Sequence, residues 1–426
     1  MRRKFTGAFF TNFSNRGFTL QEICRNMLTR KTEESLLERG YSRRQLSRIA
    51  LGAVAAIPFF SEFAFAQQSE LVARVRRSGN GGTRQPYDPE VIRISGNENP
   101  MGPSPEGIAA MAKVGPLGWR YSPQGENLEF EGLLHTIENV KQGYVNGYAG
   151  SSTPLANSVP AFTSPTRSWV MASPGYGSGA AKFVGNKVIK VPLRKDYTHD
   201  VEAMIKAAPN AGAFYICNPN NPTGTLTPRK DLDYILANKP KDAVLVIDEA
   251  YVHFSGAENY STELVRQDKD VVVLRTFSKI YGMAGLRAGA LYGRPDLLAK
   301  VADYGRGGNL PVTATACAAA SMKIAATMIP ERMTINKKNR ELAFEHLDKI
   351  GVSYIPSVTN FFMMSVKGMT GKQVGDAMAA KKIQLARSDR WPEWPSHIRV
   401  TVGTWEEMTR FNAALSQVIQ EGSIKA

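Results

Sequence analysis

Chemically active side chains stand directly after three short apolar runs of this sequence. The groups are an amide, a carboxylate with a phenol, and a hydroxyl with an amine. They belong to Asn221, to Asp248 and Tyr251, and to Ser278 and Lys279. In an open sheet of parallel strands, residues just beyond the carboxyl ends of the strands meet at one edge, where ligands bind. The spacing therefore predicts one site that these side chains share.

Together with a nearby arginine, these groups suit a pyridine aldehyde that bears a phosphate. The amine of Lys279 can form a Schiff base with the aldehyde, and the carboxylate of Asp248 keeps the ring nitrogen protonated, so that the ring acts as an electron sink. A phenol and an amide hydrogen-bond the ring hydroxyl and favour its deprotonated form. Hydroxyl groups, Arg287 and the N–H groups where a helix begins bind the phosphate.

Four motifs occur in a fixed order along the chain. Residues 218–224 read Asn-Pro-Asn-Asn-Pro-Thr-Gly, residues 248–251 Asp-Glu-Ala-Tyr, residues 278–279 Ser-Lys and residues 285–289 Gly-Leu-Arg-Ala-Gly. In this set the sequence resembles the fold-type I aminotransferases that depend on pyridoxal 5'-phosphate, and most closely their histidinol-phosphate aminotransferase branch. The resemblance extends from about residue 92 to residue 419.

The resemblance implies a role for each residue of the predicted edge. Lys279 carries the cofactor and is the general base that moves the substrate proton. Asp248 pairs with the ring nitrogen, while Tyr251 and Asn221 contact the ring hydroxyl. The predicted catalytic residues are therefore Lys279, Asp248 and Tyr251.

The same resemblance assigns the rest of the cofactor site. Ser278 and Arg287 hold the phosphate, and Ser151 and Ser152 are further donors from a Gly-Ser-Ser loop. Tyr176 matches the aromatic residue that stacks on the ring.

The resemblance also extends to the substrate and to a second subunit. Arg399 matches the arginine that clamps the α-carboxylate or another acidic group of the substrate, and Asn360 and Asn309 line the substrate cavity. Tyr121 matches the tyrosine that reaches the phosphate of the neighbouring subunit, which implies a homodimer. Met101 stands where the branch usually has the tyrosine of Asn-Pro-Tyr-Gly. That change removes a phenol which in the family helps to bind a distal phosphate, so it affects the substrate more than the chemistry.

The leading interpretation is an enzyme that moves an amino group between an amino acid, or an amino-phosphate such as histidinol phosphate, and a 2-oxo acid by a ping-pong mechanism. Decarboxylation or elimination on the same scaffold is the alternative, because one cofactor site supports all three reactions. A non-catalytic binding module is disfavoured, since Lys279, Asp248 and Arg287 are all present. Taken singly, Asp248 could be a helix cap and Tyr176 a core aromatic, but the order of the motifs favours the site. No spacing indicates a metal site.

The pattern of elements predicts an α/β fold. Short β-branched runs alternate with helix-length segments, as in a mostly parallel sheet that is covered on both faces. The resemblance makes this a large domain with a mostly parallel seven-stranded sheet flanked by helices, plus a smaller α+β domain. The Trp-Pro-Glu-Trp-Pro loop at residues 391–395 fits either a substrate lid or a packed surface turn. The predicted division is a signal peptide at 1–66, an arm with part of the small domain at 67–118, the large cofactor-binding domain at 119–310 and the small C-terminal domain at 311–426.

The charge of the chain points to export. The 426 residues include 53 Lys and Arg against 38 Asp and Glu, a net charge of +15. Residues 1–66 hold 11 of the former and 5 of the latter, so this short stretch carries +6. Arg43 and Arg44 precede an apolar run at 49–60 and an Ala-Phe-Ala site at 64–66, an order that resembles a twin-arginine signal peptide. We therefore expect a periplasmic or secreted protein with no membrane span after signal removal and no nucleic-acid partner.

Overall fold

The computed structural model describes residues 30–43, 45–46, 88–177, 185–305, 307 and 310–423. Most of the predicted signal peptide, including Arg44, lies outside the described residues, and so does Asn309. The strands of the described part are β1 Ile92–Arg93, β2 Val145–Tyr148, β3 Ser168–Ser173, β4 Val188–Pro192, β5 Ala211–Cys217, β6 Val244–Asp248, β7 Val271–Thr276, β8 Gly289–Gly293, β9 Ser353–Ile355, β10 Phe361–Ser365, β11 Ile383–Gln384 and β12 His397–Thr401.

The α-helices of the described part lie between and beyond these strands. They are α1 Arg30–Glu38, α2 Pro105–Val114, α3 Glu126–Glu138, α4 Ser152–Phe162, α5 Val201–Ala207, α6 Arg229–Asn238, α7 Thr262–Arg266, α8 Pro295–Ala302, α9 Val312–Lys323, α10 Ala325–Ile350, α11 Gly371–Ala380 and α12 Trp405–Ser423.

The large sheet has seven strands in the order β2-β8-β7-β6-β5-β3-β4. Neighbouring strands from β4 across to β7 pair in parallel, while β8 is antiparallel to both β7 and β2. The predicted mostly parallel seven-stranded sheet is confirmed. The sequence predicts strands from its apolar runs at 168–172, 187–191, 213–217, 243–247, 271–274 and 288–292, and each forms a strand within two residues of those bounds. Strand β2 had no such mark, because Asn146 and Gly147 interrupt its apolar pattern.

Both faces of the large sheet are covered, which explains why its strands are apolar throughout. Along β5, Phe214 and Ile216 belong to one apolar cluster, whereas Tyr215 and Cys217 belong to another. Successive side chains of a strand point to opposite faces, so the two clusters lie on the two sides of the sheet. Polar side chains therefore concentrate at the strand ends.

A segment before the predicted cleavage site packs on the large domain. Leu36, Tyr41 and Leu46 are buried in the same apolar cluster as Leu155 of α4. The Arg39 side chain donates to the main-chain oxygen of Pro160 at 2.8 Å and to that of Thr163 at 2.6 Å. This part of the chain thus contributes to the folded core.

A second, smaller layer contains the C-terminal elements. Strands β12, β10 and β9 form an antiparallel sheet in that order, and β1 pairs in parallel with β11. Helices α10, α11 and α12 cover these strands around one apolar cluster that includes Phe362 and Phe411. This layer has the α+β character that the sequence predicts, and the residue boundaries of the domains remain predictions.

The helices were also compared with the thickness of a membrane. In the described ranges, no single helix is both long and apolar enough to cross one. Helices α9 and α10 meet the length and composition test only as a pair, which is bent by 88°.

Candidate functional site

The carboxyl ends of β5, β6 and β7 bring the predicted residues to one edge of the large sheet. Cys217 lies opposite Asp248, and Asp248 lies opposite Leu274, so β5 and β6 end at the same level and β7 continues two residues further. The main-chain N–H of Asn218 donates to the main-chain oxygen of Asp248 at 2.9 Å. The loops that carry the amide, the carboxylate and the amine therefore begin side by side.

Asp248 is a buried carboxylate whose hydrogen-bond donors are neutral. Its Oδ2 accepts from the Tyr215 hydroxyl at 3.0 Å and its Oδ1 from the Ala250 N–H at 3.1 Å. Burial raises the pKa of Asp248 to about 6, although these two bonds act to lower it. A cationic N–H group placed against this carboxylate would stabilise its ionised form.

Lys279 has an amine that loses its proton more easily than an exposed lysine does. Burial lowers its pKa to about 8, the positive charge of Arg399 adds to this effect, and the carboxylate of Glu98 opposes it. Its Nζ donates to the main-chain oxygen of Asn97 at 3.1 Å and lies 5.4 Å from the centre of the Tyr251 ring. A neutral amine is therefore available near neutral pH for attack on an aldehyde.

Asn97 is a site residue that the sequence reasoning missed. It is 1% exposed and contacts two predicted catalytic residues, because its Nδ2 donates to the Tyr251 hydroxyl at 3.0 Å in addition to the contact with Lys279. Its φ of 53° lies in the left-handed region, which asparagine tolerates better than most residues. An asparagine just before the Asn-Pro pair at 99–100 was the available signal.

The residues predicted to bind the phosphate gather around Gly150. Arg287 Nη1 donates to the Ser278 hydroxyl at 3.2 Å, and its Nη2 is so close to Gly150 that a Cβ there would lie 2.3 Å away. Helix α4 begins directly after Ser151, whose side chain makes no capping bond, and Ser152 is exposed at its first position. Hydroxyl groups, a guanidinium and the free N–H groups of a helix start together suit a dianion.

Arg399 is a buried guanidinium on β12 that faces the same edge. Its Nη1 donates to Asn221 Oδ1 at 2.7 Å and its Nη2 to the main-chain oxygen of Ser95 at 3.1 Å, whereas its Nε has no partner. The rings of Phe361 and Trp391 lie 5.3 and 5.2 Å from the guanidinium carbon. Burial lowers the pKa of Arg399 to about 10. A carboxylate from a ligand would restore the balance of charge here.

The loop at 391–395 contacts both the large sheet and Arg399 of β12. Trp391 is buried, and the Ser173 hydroxyl at the end of β3 donates to Glu393 Oε1 at 2.5 Å. The exposed Arg390 precedes this loop. Burial lowers the pKa of Arg399, and the positive charge of Arg390 lowers it further. Burial raises the pKa of the Tyr176 phenol, and the charge of Arg390 acts against that rise. The loop thus packs against the site and carries a second arginine toward it, which the sequence reasoning did not find.

Three predicted residues remain to be placed. Tyr176 follows β3 and is 47% exposed at the edge of the site. Asn360 is buried, donates to the main-chain oxygens of Asn97 and Glu98 at 3.2 Å each, and leaves its own Oδ1 without a partner. Tyr121 is 90% exposed, and the described chain gives it no hydrogen bond to the other site residues. Apart from Tyr121, and from Asn309, which lies outside the described residues, the structure therefore gathers the predicted residues in or beside one site.

The residues present fit a phosphorylated pyridine aldehyde. A buried carboxylate with a raised pKa is available for a cationic ring nitrogen, and an amine with a lowered pKa for the aldehyde. The glycine at 150 leaves the space beside Arg287 that a phosphate loop needs. Within the described ranges, no group of three or more His, Cys, Asp or Glu residues could hold a metal ion.

Comparison with known proteins agrees with this fit. The family model for aminotransferase class I and II matches residues 120–415. The histidinol-phosphate aminotransferase of Moorella thermoacetica is 30% identical over 336 residues, which cover 78% of this chain and 86% of that protein. That of Akkermansia muciniphila is 32% identical over 343 residues, which cover 78% and 91%.

Solved structures show the same likeness. The putative histidinol-phosphate aminotransferase from Erwinia carotovora atroseptica superposes with a TM-score of 0.73 at 28% identity and covers 78% of this chain and 97% of that one. The histidinol-phosphate aminotransferase from Sinorhizobium meliloti, solved in complex with pyridoxal-5'-phosphate, has a TM-score of 0.68 at 23% identity and covers 78% of this chain and 91% of that one.

Proposed function

Because the chain belongs to the aminotransferase class I and II family, we propose that it takes an amino group from an α-amino acid whose carboxylate binds Arg399 and passes it to a 2-oxo acid. The protein is an aminotransferase that depends on pyridoxal 5'-phosphate. The substrate and the roles of individual residues are the new part of the proposal.

Each residue of the site has a task in this reaction. Pyridoxal phosphate supplies the electron sink that stabilises negative charge at the α-carbon of the substrate. Lys279 Nζ would take the proton from that carbon and hold it for return, and in the described chain burial lowers the pKa of this amine to about 8. Asp248 keeps the ring nitrogen protonated. Arg287 and Ser278 hold the phosphate and so fix the ring against Lys279.

The observation that carries the choice of donor is the environment of Arg399. This guanidinium is buried, has its pKa lowered and has no carboxylate partner among the described residues. Asn221 and Ser95 hold two of its nitrogens with neutral oxygens, which orient the group without neutralising it. A planar guanidinium binds a carboxylate through two parallel hydrogen bonds, so an α-carboxylate is the ligand that fits best.

Histidinol phosphate is the second candidate donor. The names of the curated relatives favour it, and Arg399 with Arg390 could hold its phosphate instead of a carboxylate. Met101, in place of a hydrogen-bonding tyrosine, weighs against it because a thioether donates no hydrogen bond to a phosphate.

A donor screen under single-turnover conditions tests the proposal. The purified holoenzyme is mixed with individual amino acids or with histidinol phosphate, and absorption follows conversion of the bound cofactor to its amino form. We expect amino acids to convert the cofactor, with release of the oxo acid and no carbon dioxide, and Lys279→Ala to be inert. Reaction with histidinol phosphate alone would overturn the choice of an amino acid. Release of carbon dioxide would favour the decarboxylase alternative.

We also propose that the enzyme is a homodimer. Tyr121, Trp119 and Leu128 are 90%, 72% and 76% exposed, and such large apolar side chains are typical of a surface that a partner covers. The occupant is a second copy, because the family resemblance places Tyr121 at the neighbouring phosphate. Sedimentation of the wild type is expected to give a dimer, and Leu128→Glu is expected to give monomers. A wild type that remains monomeric at all concentrations would contradict this.

Export by the twin-arginine route is the last part of the proposal. It is supported by the order of basic residues, apolar run and Ala-Phe-Ala site in residues 43–66. A fusion to this segment is expected to reach the periplasm and to stay inside when Arg43→Lys is combined with Arg44→Lys. Export that survives the double substitution would contradict the assignment.

A further inference from the structure

A closed set of hydrogen bonds connects β12 to the Tyr251 hydroxyl. The main-chain N–H of Asn97 donates to Thr401 Oγ1 at 2.9 Å, and Thr401 Oγ1 donates to Asn97 Oδ1 at 3.1 Å. The Asn97 Nδ2 then donates to the Tyr251 hydroxyl at 3.0 Å. All three residues are buried, so no solvent competes for these groups.

The directions of these bonds follow from the number of hydrogens available. A main-chain N–H only donates, so Thr401 accepts from it and keeps one hydrogen of its own. That buried hydrogen has an acceptor only when the oxygen of the Asn97 amide faces Thr401. The opposite amide orientation would leave a buried hydroxyl hydrogen without an acceptor, which costs free energy. The amide nitrogen therefore faces Tyr251.

The consequence falls on the phenol. An amide nitrogen only donates, so the Tyr251 oxygen accepts on the Asn97 side and its own hydrogen points elsewhere. We propose that Asn97 and Thr401 are positioning residues that turn the Tyr251 hydroxyl into a fixed donor toward the ring oxygen of pyridoxal phosphate. This inference rests on the proposed placement of Tyr251 against that oxygen.

Such a donor has an electronic effect on the cofactor. A hydrogen bond to the deprotonated ring oxygen stabilises that form and lowers the pH at which the bound cofactor ionises. Thr401 stands two residues after Arg399 on β12, so both side chains leave the strand on the same face. The strand that carries the substrate arginine thus also sets the orientation of the phenol.

The test measures the pH midpoint of the visible absorption of the holoenzyme without substrate. Tyr251→Phe is expected to raise the midpoint by about one pH unit, the equivalent of one lost hydrogen bond to a charged group. Thr401→Val removes the hydroxyl that orients the Asn97 amide and leaves the main chain in place. It is expected to raise the midpoint by about half a pH unit. Thr401→Ser keeps the hydroxyl and is expected to match the wild type.

Two further variants separate this role from general destabilisation. Thr315→Val makes the same change at a buried position in α9, where the hydroxyl contacts only a main-chain oxygen, and is expected to shift nothing. In the Tyr251→Phe background, Thr401→Val is expected to add no shift, because its effect passes through the phenol. If Thr401→Val does not fold, Asn97→Gly serves in its place, since glycine adopts the positive φ and lacks the amide.

The outcomes distinguish two ideas. The proposed role of Asn97 and Thr401 would be overturned if the pH midpoint shifts for Tyr251→Phe but not for Thr401→Val. It would also be overturned if Thr401→Val shifts the midpoint equally in the wild type and in Tyr251→Phe. If the pH midpoint does not shift for Tyr251→Phe, the placement of Tyr251 against the cofactor is overturned, and so is the positioning role of Asn97 and Thr401. None of these outcomes would change the conclusion that the protein is an aminotransferase, because the donor screen tests that conclusion separately.

Discussion

Arg275 and Arg399 are equally buried, at 3% and 4% exposure, but their surroundings differ. Arg275 donates to Glu249 and to Glu138 at 2.6 Å each, and these carboxylates raise its pKa although burial acts to lower it. Arg399 has only neutral oxygens around it, and burial lowers its pKa to about 10. Burial alone thus does not mark a functional arginine, and Arg399 differs from Arg275 because no carboxylate of the described residues pairs with it.

The same contrast separates two neighbouring acids in the sequence. Glu249 accepts from Arg275 and from the Ser261 N–H at 2.6 Å, so a cation and a main-chain donor complete its environment. Asp248 has neutral donors only and keeps a pKa of about 6. One acid belongs to a finished ion cluster that holds α3, β6 and β7 together. Among the described residues the other accepts hydrogen bonds from neutral groups only, and the proposed ring nitrogen would supply a cationic donor.

Replacement of each arginine by methionine is the strongest way to break this comparison. Arg275→Met leaves Glu138 and Glu249 buried without a cation and should lower the free energy of unfolding by about 3–5 kcal/mol. Arg399→Met removes a charge that has no partner and should change it by less than about 1 kcal/mol. Urea denaturation of the two variants measures the difference. Equal losses would show that the two sites do not differ as described.

The same pair should behave oppositely in activity. Arg399→Met is expected to lower kcat/KM for the amino-acid donor by about 100-fold, because two hydrogen bonds to a carboxylate are lost. Arg275→Met, assayed where it is folded, should stay within about threefold of the wild type.

The two acids give a smaller contrast. Asp248→Asn should lower kcat by roughly 30-fold, since about 2 kcal/mol of a charged hydrogen bond to the ring nitrogen is lost. Glu249→Gln should leave kcat nearly unchanged and reduce stability instead. Steady-state rates and thermal unfolding distinguish the two. A stable, inactive Glu249→Gln variant would remove the distinction between the acids.

The pH dependence of cofactor capture sharpens the role of Arg399. Lys279 attacks the aldehyde as a neutral amine, so capture by the cofactor-free protein should accelerate about tenfold per pH unit up to a pKa of about 8 and then level off. Arg399→Met removes a positive charge that lowers this pKa, so it should move the midpoint to higher pH. Rapid-mixing absorption measures both. A midpoint near the ordinary value for lysine, with no response to Arg399→Met, would contradict the described environment.

The smallest effect is expected at Arg390. The positive charge of this exposed arginine acts on Arg399 and Tyr176, so we expect it to attract a second acidic group on the substrate. Arg390→Gln should lower kcat/KM about fivefold for donors with a second acid group and leave alanine unaffected, because an exposed ion pair contributes about 1 kcal/mol. Arg387→Gln, which removes an arginine that is paired with Asp389 instead, is the matched control. If Arg390→Gln lowers kcat/KM equally for alanine and for a donor with a second acid group, this role is excluded.

The sequence predicted the large sheet well because its strands are buried on both faces and appear as continuous apolar runs. It did not reveal β2, where Asn146 and Gly147 break the pattern, or the short pair of β1 and β11. Domain boundaries are weakly encoded for a different reason, because they depend on long-range packing that no local pattern contains.

At the site, the sequence supplied residues whose motifs are local, such as Asn221, Asp248 and Lys279. Asn97 and Thr401 escaped because they are 304 positions apart and their partnership depends on the folded chain. Their hydrogen bonds exist only when the N-terminal arm is laid beside β12. A single sequence contains no signal for such a meeting of distant segments.

The segment around α1 docks on the large domain, so that domain acts as a receptor for part of the predicted leader. Leu36, Tyr41 and Leu46 occupy an apolar face beside α4, and a covalent tether keeps their local concentration high. Cleavage after Ala66 would turn this segment into a separate peptide and end that advantage. The face beneath it would then be open to solvent, so cleavage at the predicted site would change the surface that the enzyme presents.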